Sequence, residues 1–114
     1  MIATDDPGFS AAALLSDDLD ESRQWVREVL GPLSSDTDND ARMRETLRVF
    51  LRGGGSYKTA ADQLHLHSNS IKYRVQRAIE RRGRPLGDDR LDVEIALLIC
   101  QWFGRAVLLT ASEK

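Results

Sequence analysis

Apolar residues along this chain recur at three- and four-residue spacing, and nowhere do they alternate as in a strand. Phe9 to Ser16 reads as a weak helix. Asp20 is placed to cap a helix to about Leu30, with Trp25, Val26, Val29 and Leu30 on one face and Gly31-Pro32 as its stop. Ser34 to Asp40 is a polar connection rich in capping residues. Asp40 is expected to cap a helix from Ala41 to about Arg52, with the stripe Met43, Leu47, Phe50 and Leu51; Gly53 to Gly55 end it. Ser56 caps the next helix, to Leu64, with Ala60, Ala61 and Leu64 inward. His65, Leu66 and His67 form a turn, and Ser68 to Arg82 a longer helix that Gly83 closes, with Pro85 just beyond. Asp88 or Asp89 opens a last helix to at least Phe103, and Gly104 is expected to kink it before Val107 to Leu109. The pattern predicts an all-α domain of about five to six helices.

Two of these helices are joined by only three residues, the one-dimensional form of a helix-turn-helix. At about 100° per residue, Ile71, Val75, Ala78 and Ile79 fall in one arc of the second helix and predict its buried stripe. The opposite side carries Asn69, Tyr73, Gln76 and Arg77, with Ser70 beside them. Packed through Ile71 and Val75, that helix turns its polar side outward, and the major groove of DNA accepts such a helix. The turn then places His67, Ser68, Asn69 and Ser70 nearest the bases, with Tyr73 next. Asn pairs bidentately with adenine, whereas Ser is less selective. His67 either donates to guanine or caps the helix. Lys72, Arg74, Arg77 and Arg81 suit backbone contacts, which position rather than specify. The start of the Ser56 helix, with Tyr57 and Lys58, suits a further phosphate. Ala60-Ala61 allows the close crossing that a short turn imposes. His65 occupies the turn position that commonly needs positive φ, where His is enriched among non-glycine residues.

Charge sharpens this picture. The net charge is only -2, but residues 1–40 hold ten acidic and two basic residues, whereas residues 52–84 hold eight basic residues against Asp62 and Glu80. The positive charge is gathered where a nucleic acid would need it.

Other chemistry has little support. The lone Cys100 excludes an internal disulfide framework and fits a reducing cytoplasm; Ile99 and Trp102 beside it suggest a buried small hydrophobe. His65-x-His67 has no Cys or acidic pair at ligand spacing, so no metal is expected. Gly53 to Gly55 lack the Lys-Ser/Thr of a phosphate-binding loop. No catalytic constellation and no cofactor site is found. No uninterrupted apolar run reaches the ~18 residues of a membrane span.

The stretch Leu47 to Leu86, LRVFLRGGGSYKTAADQLHLHSNSIKYRVQRAIERRGRPL, resembles the C-terminal helix-turn-helix domain of the PucR/CdaR family of bacterial transcriptional regulators, a Fis-like motif. The likeness rests on a helix ending in glycines, an Ala-Ala helix, Leu-His-Leu-His, then Asn-Ser and a Tyr-Arg pair. Leu91 to Leu98 resembles the family's closing helix. The resemblance implies a DNA-facing group of His67, Ser68, Asn69, Ser70, Lys72, Tyr73 and Arg74. Ser70 stands where Thr is usual and lacks its methyl; Ser68 stands where Arg is common. It also implies that residues 9–33 end a preceding domain, that the chain is the C-terminal part of a longer regulator, and that any effector is sensed elsewhere. The expected division is a connector over 1–38, the DNA-binding domain over 39–110 and a tail over 111–114. The alternative is that Met1 begins a free-standing DNA binder.

One small module covers too little DNA for high specificity, and dimers reading two half-sites are the usual solution. Leu91, Ile95, Leu98, Trp102 and Phe103 on the closing helix form a wide apolar set that either serves as a homodimer interface or completes the core. The rival to DNA binding is a helical protein-interaction module, supported by that helix and the acidic first third.

Overall fold

The structure, a computed structural model, describes residues 19–109; the weak helix expected over Phe9 to Ser16 lies outside them. The fold is all-α. Among the described residues, five α-helices follow one another: α1 (Leu19–Leu30), α2 (Asp38–Arg52), α3 (Tyr57–Leu64), α4 (Ser68–Arg82) and α5 (Arg90–Phe103), with short 3-10 turns at Gly31–Ser34 and Gly104–Ala106. One isolated parallel bridge joins Ser35 to Leu109, through Asp36 N–H to Leu109 O at 2.8 Å and Leu109 N–H to Ser34 O at 2.8 Å.

Two helix starts differ from expectation and a third matches it. Asp20 lies inside the first turn of α1, not ahead of it. Thr37, not Asp40, caps α2: its Oγ1 accepts from the Asp40 N–H at 3.1 Å and donates to Asp40 Oδ2 at 2.9 Å. A β-branched hydroxyl with extended backbone fulfils the cap, so the helix gains a turn at its start. Ser56 caps α3, accepting from the Thr59 N–H at 3.1 Å. At the other end of the molecule Gly104 (φ +52°) ends α5 instead of kinking it.

Every helix contributes to one core. Leu30, Leu33, Leu47, Ile71, Leu97 and Ile99 are fully buried, together with Val26, Val75, Val93 and Val107. Each such side chain stabilises the fold by about 1.5–3 kcal/mol through area removed from water. The segment expected as a connector thus shares the core of the segment expected to read DNA.

Arginines tie the helices where carbonyls would otherwise be stranded. Arg44, buried on α2, donates Nη1 to the carbonyls of Leu33 (2.8 Å) and Ser35 (2.6 Å). Arg82, buried at the end of α4, donates Nε to Val29 O at 2.7 Å and Nη1 to Pro85 O at 3.1 Å, and pairs with Asp89. The backbones approach closely at this seam. A Cβ on Gly31 (φ +56°) would lie 2.9 Å from Arg82 O, so no larger residue fits there.

Candidate nucleic-acid interface

The turn between α3 and α4 has left-handed geometry at His65 (φ +56°, ψ +43°), among the described residues the only non-glycine with positive φ. Leu66 N–H and His65 N–H both reach Ala61 O, closing the end of α3. Ala60 and Ala61 are buried at the crossing, as a short turn requires. His67 then caps α4: its Nδ1 accepts from the Asn69 N–H at 3.0 Å. An accepting Nδ1 leaves the neutral ring's proton on Nε2, facing away from the helix start. Capping and donation to a base are therefore compatible roles for one imidazole.

Ile71, Val75 and Ala78 are buried and Ile79 half-buried, as the periodicity predicts. The opposite side of α4 is outward. Asn69, Ser70, Lys72, Gln76 and Arg77 are exposed, Ser68 and Arg74 half-buried, and Tyr73 is 63% exposed. An aromatic ring held this far into solvent makes no contribution to the core. Arg77 is joined to Glu80 at 3.2 Å on the same face, a weak pair in water.

Tyr57 and Lys58 are exposed on the first turn of α3. Tyr57 is steadied by stacking on Phe50 of α2, with ring centroids 4.9 Å apart. Arg81, expected to hold a phosphate, has a partner within the fold. It is 40% exposed, but its Nε and Nη2 bind Asp40 Oδ1 and Oδ2 at 3.0 and 3.2 Å, which commits the guanidinium to α2. Arg82, next in sequence, turns wholly inward. The partners Asp40 and Val29 have no local signal, lying many residues earlier, although the helical period already sets Arg82 in the buried arc with Ile71, Val75 and Ala78.

On α5, Val93, Ala96, Leu97, Ile99 and Cys100 are buried. Of the expected interface set, Leu91 is 65% exposed, whereas Ile95, Leu98, Trp102 and Phe103 are half-buried. Burial pushes the Cys100 thiol up to about 11, with Arg44 opposing the rise. No described helix is long and apolar enough to cross a membrane.

Comparison with known proteins agrees with this geometry. Residues 43–99 match the PucR C-terminal helix-turn-helix domain. A protein of Thermomonospora curvata, described as an uncharacterized protein in the pkwA 5′ region, is 39% identical over 84 residues, 74% of this chain and 43% of its own length. The proline-responsive transcriptional activator PutR of Bacillus subtilis is 28% identical over 64 residues, 56% of this chain and 16% of its own. Uncharacterized protein YxkF of the same organism is 36% identical over 45 residues, 40% of this chain and 15% of its own. The chain spans less than half the length of each of these relatives. No solved structure matches it.

Proposed function

Because the chain belongs to the family of PucR C-terminal helix-turn-helix domains, we propose that it binds duplex DNA sequence-specifically and regulates transcription. The observation that carries this reading is the outward face of α4, where Asn69, Ser70, Tyr73 and Arg77 stand opposite the buried Ile71, Val75 and Ala78. In the major groove His67, Ser68, Asn69, Ser70 and Tyr73 read base edges. Lys72, Arg74 and Arg77, with Tyr57 and Lys58 at the start of α3, hold phosphates. The reading assigns no catalysis and no cofactor to these residues.

The chain acts in the cytoplasm of a bacterium as the C-terminal output module of a longer regulator, residues 39–110 binding DNA and the effector being sensed outside this chain. The short coverage of the relatives supports this. It acts as a homodimer, with Leu91 the exposed apolar anchor on α5. Selection of bound sites from a random duplex library tests the whole reading. An enriched palindrome with half-sites about one helical turn apart is the expected result. Equal weak binding to all duplexes at moderate salt would defeat it. Self-association that persists without any DNA binding favours a protein-interaction module instead.

A further inference from the structure

The DNA-facing surface does not end at the helix-turn-helix. Beside α4, the first turns of α2 bring Asn39 and Arg42, three residues apart and both exposed, to the edge of Tyr73, Arg74 and Arg77. Residues i and i+3 share a helix face, so both side chains address the same space. The five residues and Met43 line an open cleft of about 170 Å³.

This cleft is electrostatically incomplete. Three guanidinium groups border it, from Arg42, Arg74 and Arg77, and among the described residues the one carboxylate engaged by any of them is Glu80, on Arg77. Asp38 and Glu45 neighbour Arg42 along α2, yet among the described residues no carboxylate comes within ion-pair distance of Arg42 or Arg74. Nearby Arg81 is different, being held by Asp40. Like charges gathered without counter-charge repel, and an anion between them relieves the repulsion. Three donors with fork geometry match a phosphate oxygen set.

The cleft's place on α4 gives the anion an identity. Counted around the helix, Lys72 and Arg74 lie on opposite flanks of the buried Ile71–Val75 stripe. The cleft is on the Arg74 flank. A helix in the major groove has one sugar–phosphate strand on each side. We infer that Arg42, with Asn39, extends the interface onto the second strand, so that Lys72 holds one wall of the groove and Arg42 with Arg74 holds the other. The ligand is a backbone phosphate of duplex DNA. Both α2 residues precede the segment 43–99 that matches the family. The inference rests on the DNA-binding reading.

The test uses the full chain and a mixed-sequence duplex about two helical turns long, titrated over a range of salt. Arg42→Ala is expected to weaken binding to all sequences alike, about three- to tenfold, and to make the slope of log K against log salt shallower by about 0.9. Arg42→Lys, which keeps the charge, should retain the slope. Thermal melting reports whether either variant is unfolded, and Arg42 is exposed, so no change is expected. If the unaltered chain binds DNA while Arg42→Ala keeps both affinity and slope, this inference fails and the DNA reading stands. If the unaltered chain binds no duplex at low salt, both fail.

Discussion

Asp40 on the first turn of α2 grips Arg81 on the last turn of α4, 41 residues later, through both carboxylate oxygens, at 3.0 and 3.2 Å. The carboxylate is 2% exposed and also accepts from Thr37. This bond raises the Arg81 pKa further above its usual value. Asp40→Ala is expected to destabilise the fold by about 1–3 kcal/mol, because a buried pair and a cap partner are lost while Arg81 can still turn to water. It also releases a cation beside the reading helix. Salt dependence of DNA binding should therefore steepen in Asp40→Ala, while Arg81→Ala leaves it unchanged. Chemical denaturation and salt titrations check the two halves.

Arg82 is a structural residue in a basic helix. Its side chain is 0% exposed and binds α1, the 84–89 loop and Asp89 together. Arg82→Lys keeps the charge but loses the planar fork that reaches several acceptors at once. A loss of about 2–4 kcal/mol is expected, somewhat less than the ~3–5 kcal/mol for removing one partner of a buried pair, because the charge is kept. A melting temperature equal to that of the unaltered chain would refute it.

His65 occupies left-handed backbone at a cost of about 1–2 kcal/mol for an L-residue, partly relieved for His. His65→Gly should stabilise the fold by roughly 0.5–1 kcal/mol, since the relief exceeds the extra entropy of the unfolded glycine. His65→Val should destabilise by about as much or more. Denaturant midpoints decide the sign.

Cys100 is buried, and its thiol titrates near 11 instead of 9.0. A two-unit rise makes the thiolate about a hundredfold scarcer at a given pH below both values. Alkylation of the native protein at mildly alkaline pH should be slow and should accelerate on unfolding. The raised pKa means that the folded state disfavours the thiolate. The stability tied to this thiol is complete below pH 9 and is lost as pH rises through about 11.

Asn69 is an outward residue at the start of α4 whose carboxamide suits bidentate pairing with adenine. Asn69→Ala should erase about 1–3 kcal/mol of discrimination at one base pair. Selected sites should then lose information at that position and keep it elsewhere. Arg77→Ala should instead weaken all sequences together.

Much of this site was legible in one dimension because it depends on local chemistry. The Ile71–Val75–Ala78 stripe, the Ser56 cap and the left-handed His65 each follow from neighbours a few residues away. The partners of the arginines were not legible. The helical period sets Arg77 on the outward side and Arg82, eleven residues after Ile71, in the buried arc, yet it does not show that Arg81 is held by Asp40 or that Arg82 reaches Val29. Those partners lie on α2 and α1, 41 and 53 residues earlier. Arg42 escaped notice for the same reason, since only the packing of α2 on α4 places it beside Tyr73.

The shared core has a consequence for how the molecule can be cut. The family match begins at residue 43 and ends at 99, yet Val26, Leu30, Leu33 and Val107 are each 0% exposed in the same cluster. A fragment trimmed to the matched residues would lose those side chains and the Val29 carbonyl that Arg82 needs. Its α4 would keep the outward polar side chains while part of the apolar packing beneath them was removed. The stretch that identifies the family is thus narrower than the stretch that shares its core.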